Sequence, residues 1–209
     1  MLEQPDFTKH GTILITNKLV NLVSSHDWTP KHLWNQDICF KGTQCIFYDF
    51  SETFHSRYAQ AYFQNLYKQE YNIADMMLRN ETQYILDYII ELFPGHRFIK
   101  GEISHCPPGE QQGFHIDPRV FHRFSRRVHV PLITNLESSL KVLYKKQHLA
   151  QGEIWTFNNL SPHASENLGN TSRVHIVVDI MEQEIFNKIV SKYPVSYLYH
   201  ETSKQNITI

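Results

Sequence analysis

The chain of 209 residues reads as a mainly β fold with flanking helices. Three observations predict it. Between Phe98 and Ile180, short runs alternate apolar and polar residues, the period of half-buried strands. On either side, apolar residues recur at helical spacing: Phe54, Tyr58, Ala61, Tyr62 and Leu66, then Tyr84, Ile85, Tyr88, Ile89 and Leu92, and finally Ile185, Phe186, Ile189, Val190 and Tyr193. Pro94-Gly95, Pro107-Pro108-Gly109 and Pro194 punctuate the boundaries. With 41% apolar and 13% aromatic residues the chain can bury one sizeable core. One domain is expected over 1–209, with N-terminal strands and buttressing helices in 1–97, a β core carrying the site in 98–181, and a helix and tail in 182–209.

In order, Thr12 to Ile15 reads as a short strand, and a helix begins near Asn17, an N-cap residue type, with Leu19, Val20, Leu22 and Val23 apolar. Trp28, Pro30 and Trp34 mark an irregular segment whose aromatics pack a layer more readily than they line an entrance. Gly42 to Phe50 reads as a strand, and a helix runs from Ser51 to about Tyr67. The next helix is capped by Asn80 and stopped by Pro94-Gly95. Phe98 to Cys106 enters the β core. Ser125 to Thr134 sets Arg127, His129 and Pro131 on one face, with Val128, Val130 and Leu132 on the other. Leu140 to Tyr144, Ile154 to Phe157 and Arg173 to Ile180 complete the strands. A helix ended by Pro194 follows, and a polar tail runs from Glu201 to Ile209.

Net charge is −1, which offers no general attraction to nucleic acid or an anionic membrane surface. Cys39, Cys45 and Cys106 are odd in number and lack C-x-x-C spacing, which fits a reducing compartment. The start has no basic run followed by an apolar one, and no apolar stretch reaches membrane-spanning length. A cytoplasmic protein is expected, without a nucleic-acid or membrane partner.

The chemistry centres on His115, Ile116 and Asp117, answered far downstream by His163. In an extended strand, residues two apart point the same way, so His115 and Asp117 reach one metal from one side. Pro118 keeps Asp117 out of the helical region. Two imidazoles and one carboxylate on a single face of an octahedron leave three positions open, the arrangement of non-haem Fe(II) oxygenases. In a chain with 13 histidines an H-x-D triplet alone decides little. Arg173 adds to it, because an arginine opening an apolar strand is costly to bury unless a carboxylate meets its planar fork. A dicarboxylate cosubstrate would do so. The basic loop Arg119 to Arg126 reads either as a solvated rim or as an attractor of a carboxylate-bearing substrate.

Ile103-Ser104, Pro108-Gly109, His115-x-Asp117, Arg127-x-His129-x-Pro131, Trp155-x-Phe157, His163, Asn167, Arg173 and Asp179 together resemble the aspartyl/asparaginyl β-hydroxylase family, which also contains bacterial cis-proline hydroxylases. The resemblance implies a double-stranded β-helix, the cupin-like jelly roll, and a dioxygenase using Fe(II), 2-oxoglutarate and O₂. It implies that His115, Asp117 and His163 are the metal ligands and catalytic centre. Arg173, assisted by Ser104, would hold the distal carboxylate of 2-oxoglutarate, with Arg127 and His129 near the proximal one. Asn167 falls where the family has a contact to substrate or behind the metal ligands, although by itself an asparagine before Gly169 is more often a turn residue. The expected reaction hydroxylates an unactivated C–H of a free, proline-like amino acid or of an Asp/Asn residue in a peptide, with succinate and CO₂ as coproducts. Two alternatives stand beside it. A cupin-like metalloenzyme without 2-oxoglutarate has no need of Arg173, and a non-catalytic jelly-roll binding protein has no need of the intact triad.

Overall fold

The computed structural model describes residues 5–28, 44–47, 73–117 and 119–199. The expected helix from Ser51 to Tyr67, together with Pro30, Trp34, Pro118 and the tail 201–209, lies outside them. Ten strands are described: β1 Phe7–Thr12, β2 Gln44–Phe47, β3 His96–Cys106, β4 Gln111–His115, β5 Ser125–Ile133, β6 Ser138–Val142, β7 Lys145–Gln147, β8 Glu153–Phe157, β9 His163–Asn167 and β10 Arg173–Glu182. The helices are α1 Asn17–Ser25, α2 Ile73–Glu81, α3 Gln83–Leu92 and α4 Gln183–Val190, with 3-10 turns at Val120–Arg123 and Val195–Tyr199. None of these helices is long and apolar enough to cross a membrane.

Two antiparallel sheets face each other, one in the order β1-β8-β5-β10-β3-β2 and the other in the order β4-β9-β6-β7. From β3 to β10 the chain changes sheet at every connection except the β6–β7 hairpin. That winding is the double-stranded β-helix, or jelly roll. Residues opposite one another in a ladder share a face, so the register of β10 with β3 and β5 sorts the larger sheet. Ile103, Val128, Val130, Leu132, Ile154, Val174, Ile176, Val178 and Ile180 form one buried apolar face. Leu19 and Val23 of α1, Leu78 of α2, and Ile85, Leu86 and Ile89 of α3 cover it from outside. Each such side chain contributes about 1.5–3 kcal/mol on full burial. The opposite face looks into the roll and is polar.

One end of the roll is closed by a second cluster, Val120, Phe121, Phe124, Met181, Phe186, Ile189 and Leu198, which Ile99 joins. Ile99 is there because Asp179 pairs with Lys100 while Ile180 pairs with Phe98. The extra residue in β3 is a bulge that redirects its side chain.

Three local expectations are corrected. The first strand is Phe7–Thr12 rather than Thr12 to Ile15. Its alternation is masked by Lys9 and His10 on an edge strand, and Ile13 is already turning, its N–H donating to Gly152 O at 2.8 Å. The cap of α1 is Thr16, whose Oγ1 accepts the Leu19 N–H at 3.1 Å, and Asn17 is the first helical residue. Asn80 caps nothing, for it lies in the last turn of α2. The break before α3 is at Thr82, whose hydroxyl donates back to the carbonyls of Leu78 and Arg79.

Candidate metal centre

His115 ends β4 and His163 opens β9, and the two pair directly across the smaller sheet. Their side chains therefore share a face, with ring centroids 4.3 Å apart. Asp117 lies just beyond the strand end and reaches the same point. One ligand atom from each of His115, Asp117 and His163 lies within 4.8 Å of the other two. His115 Nε2 is 3.9 Å from Asp117 Oδ1, and His163 Nε2 is 3.9 Å from Asp117 Oδ2.

Both imidazoles are fixed from behind. Nδ1 of His115 lies 2.9 Å from the Gly113 carbonyl, and Nδ1 of His163 lies 2.9 Å from the Ser161 carbonyl. A carbonyl only accepts, so each Nδ1 carries the proton and each Nε2 turns a lone pair towards the centre. Burial, with His115 nearby, holds His163 down to about 4 against the pull of Asp117. It is neutral at physiological pH, as a ligand must be.

Asp117 is 9% exposed and heavily supported. Its Oδ2 receives Arg127 Nη1 at 2.6 Å and Asn159 Nδ2 at 3.1 Å. Burial alone would raise this carboxyl, but the positive charge of Arg127 and the Asn159 hydrogen bond hold it well below the usual carboxylate range. Arg127 in turn forks onto Asp179, with Nε to Oδ1 and Nη2 to Oδ2 both at 3.0 Å. Nη2 also lies 2.9 Å from His122 Nε2. Burial depresses His122 to about 4, and its Nδ1 accepts the Arg119 backbone N–H at 3.1 Å. Despite its own burial, Arg127 is held protonated by the two carboxylates.

Further along the same inner face lies a second polar group of different character. Arg173 is 4% exposed, with Nε 3.3 Å and Nη2 3.1 Å from ring nitrogens of His175. Among the described residues no carboxylate lies within ion-pair distance of it. Burial lowers its affinity for the proton, partly offset by the Cys106 sulfur. His175 Nδ1 is 3.4 Å from His129 Nδ1, and His129 Nε2 is buried without a hydrogen-bond partner among the described residues. Ser104 stands opposite His175 on β3. Phe157 touches both His129 and His163, with centroid distances of 5.2 and 5.1 Å, and so joins this row to the triad.

The structure thus brings His115, Asp117 and His163 together, sets Arg127 against Asp117, and lines the interior with His129, Ser104 and Arg173. Asp179, His122, Asn159 and His175 carry no assigned role in the sequence reading. Asp179 and His175 share the parity of Arg173, a usable signal, whereas His122 sits in what reads as a basic rim. Asn167 is a brace, not a site contact. Its Nδ2 donates to the carbonyls of Cys106, Pro107 and Thr171, and its Oδ1 accepts from Asn135.

Among solved structures the chain is similar to the non-haem monooxygenase ThoJ at 20% identity and a TM-score of 0.37, over 47% of this chain and 49% of that one. The chain thus spans about half the length of ThoJ. A 2OG-Fe(II) oxygenase-family oxidoreductase from Burkholderia pseudomallei matches at 10% identity and a TM-score of 0.47, over 78% of each chain. A prolyl-4-hydroxylase from Pseudomonas putida matches at 14% identity and a TM-score of 0.46, over 86% of this chain and 94% of that one. No curated protein matches the sequence. Residues 43–183, by contrast, match the family model described as aspartyl/asparaginyl beta-hydroxylase, which covers the triad, Arg127 and Arg173. The chain belongs to the aspartyl/asparaginyl β-hydroxylase family, a family of 2-oxoglutarate- and Fe(II)-dependent dioxygenases.

Proposed function

We propose that the protein hydroxylates an unactivated C–H of a free amino acid, or of an Asp/Asn residue in a peptide, using Fe(II), 2-oxoglutarate and O₂. The observation that carries this reading is the triad itself, two imidazoles held through Nδ1 with their Nε2 atoms converging beside an ionised carboxylate. That donor set fits Fe(II), and His115, Asp117 and His163 would hold it. The interior fits a dicarboxylate as well. Arg173 is buried without a carboxylate among the described residues, and Ser104 is two strand positions from its partner Cys106. Arg173 and Ser104 would therefore anchor the distal carboxylate of 2-oxoglutarate. His129, with its orphaned Nε2, is proposed to meet the proximal one, while Arg127, forked onto Asp179 and Asp117, holds the carboxylate ligand in place.

When bound, the iron and its cosubstrate supply the oxidising power that converts C–H to C–OH, with release of succinate and CO₂. The chain's own residues orient and exclude. Arg127 and Asn159 occupy Asp117 Oδ2 and so fix the carboxylate's rotation. Asp179 fixes Arg127. Phe157 and the cluster around Phe121 keep water from the enclosed side. A cytoplasmic setting is proposed from the cysteine usage, which suits a reduced metal.

Protein purified without oxygen, loaded with Fe(II), and then given O₂ and 2-oxoglutarate is expected to form succinate, faster when a suitable amino acid or peptide is added. Bound metal with no succinate under any condition would favour instead a cupin-like enzyme that does not use 2-oxoglutarate.

A further inference from the structure

His175 is 2% exposed and stands on the inner face of β10 in contact with both Arg173 and His129, the residues proposed to meet the two ends of 2-oxoglutarate. Arg173 Nε is 3.3 Å from His175 Nε2, and Arg173 Nη2 is 3.1 Å from His175 Nδ1. On its other side His175 Nδ1 is 3.4 Å from His129 Nδ1, with the two rings at 85° to each other. Burial, together with the positive charge of Arg173, holds both imidazoles far below their usual range, so both rings are neutral. A neutral imidazole has one N–H and one bare nitrogen. Where the proton sits on His175 therefore decides where it sits on His129.

With the proton on His175 Nε2, that N–H faces the N–H of Arg173 Nε, and the bare Nδ1 is claimed at once by Arg173 Nη2 and by a His129 Nδ1–H. His129 Nε2 is then a bare acceptor buried beside Phe157, which has no polar hydrogen to give it. With the proton on Nδ1, Arg173 Nε donates to His175 Nε2 and His175 Nδ1 donates to His129 Nδ1, so both bonds form and run in one direction. The contact left over sets Arg173 Nη2 against that N–H, and Nη2 has a second hydrogen that a carboxylate can take. His129 Nε2 then carries its own proton. The second arrangement makes more bonds and ends in two buried donors, Arg173 Nη2 and His129 Nε2, for which a dicarboxylate brings acceptors.

We infer that His175 is a positioning residue, whose Nδ1–H donates to His129 Nδ1 and thereby makes His129 Nε2 an N–H donor for the proximal carboxylate of 2-oxoglutarate. The identity of the ligand rests on the oxygenase reading of the site, whereas the tautomers belong to the ligand-free chain. His175 acts only through its neighbours. It transfers no proton and forms no covalent bond.

The test is nitrogen NMR of full-length, metal-free protein isotopically labelled in its histidine rings, which separates the tautomers by the shifts and couplings of each ring nitrogen, with His129→Gln used for assignment. His129 is expected to be protonated on Nε2 and His175 on Nδ1. His175→Phe keeps the bulk and removes the donor, so His129 should lose its single tautomer, and the calorimetric affinity of Mn(II)-loaded protein for 2-oxoglutarate should fall about tenfold or more. His175→Asn sets an amide N–H near the place of Nδ1–H, and should restore the Nε2–H form of His129 and bring affinity back to within about threefold of wild type. A role in packing alone would reverse that order, favouring phenylalanine over the smaller asparagine. A wild-type His129 protonated on Nδ1 would overturn the inference, and this spectrum decides the matter even where a variant fails to fold. An unchanged His129 tautomer or an unchanged affinity in His175→Phe would overturn it too. Wild-type protein that shows these tautomers and binds no 2-oxoglutarate would overturn the oxygenase reading and leave His175 in its place.

Discussion

Arg127 and Arg173 both rise from the inner face of the larger sheet and both are largely cut off from solvent. Arg127 meets Asp179 through a two-pronged fork and Asp117 through its remaining nitrogen. Arg173 meets imidazole nitrogens and, among the described residues, no carboxylate. A buried guanidinium is tolerated when its charge is answered in place. The first arginine is therefore finished within the fold and serves to hold Asp117 still. The second is finished only by something that arrives. One sheet thus carries a positioning arginine and a receiving arginine, and the difference lies entirely in which carboxylates the ladder register sets beside each.

The largest expected effect comes from unfinishing the first. Asp179→Ala removes the fork and leaves Arg127 leaning on Asp117 alone. Breaking a buried pair from one side costs about 3–5 kcal/mol, which at about 2–4 °C per kcal/mol for a chain of this size lowers Tm by roughly 6–20 °C. Thermal unfolding of metal-free protein measures it, and metal affinity should fall in parallel because Asp117 loses its fixed rotation. A loss below about 1 kcal/mol would mean that Arg127 is answered by other groups and that the contrast with Arg173 is overdrawn.

Removing the second arginine should act in the opposite sense. Arg173→Met deletes an uncompensated buried charge while keeping apolar bulk, so the ligand-free protein is expected to gain about 1–3 kcal/mol. The wild type, given Mn(II) and 2-oxoglutarate at one hundred times the Kd, should be stabilised by about 2.7 kcal/mol. The variant should show none of that gain. A variant that is both less stable and still stabilised by 2-oxoglutarate would make Arg173 a structural residue like Arg127.

Much of this contrast is legible along the chain, because it follows from parity. Arg173, His175, Val177 and Asp179 alternate with Val174, Ile176, Val178 and Ile180, so a reader of β10 sees one face for the core and one for the interior. His115 and Asp117 share a side for the same reason. What alternation cannot supply is the partner. That Asp179 answers Arg127 follows only from β5 lying beside β10 in one register out of several. His122 reads as part of a charged rim, and its burial comes from Val120 and Phe121 anchoring the 3-10 turn in the second cluster. Asn159 looks like any turn asparagine until its amide is found on Asp117. Thr16, Asn17 and Asn80 show the same limit at short range, since several residues in a row can cap a helix and the backbone selects one.

The smallest effect separates the two faces of β10 themselves. Ile176 sits between Val174 and Val178 on the outer face, fully buried against the helices. Ile176→Val removes one methylene there and should cost about 0.5–1.5 kcal/mol, a few degrees in Tm. Its neighbour His175 contacts Arg173 on the opposite face, so a strand that moved as a rigid lever would pass the change on to the interior. We expect it not to, because the loss can be absorbed by side chains of α1 and α3 without shifting a backbone held by ladders on both sides. The stabilisation conferred by 2-oxoglutarate should therefore match the wild type within about 0.3–0.5 kcal/mol, the usual additivity of independent sites. A larger deviation would show that core packing sets the position of Arg173, and that the receiving arginine depends on the helices outside the roll as well as on the interior it faces.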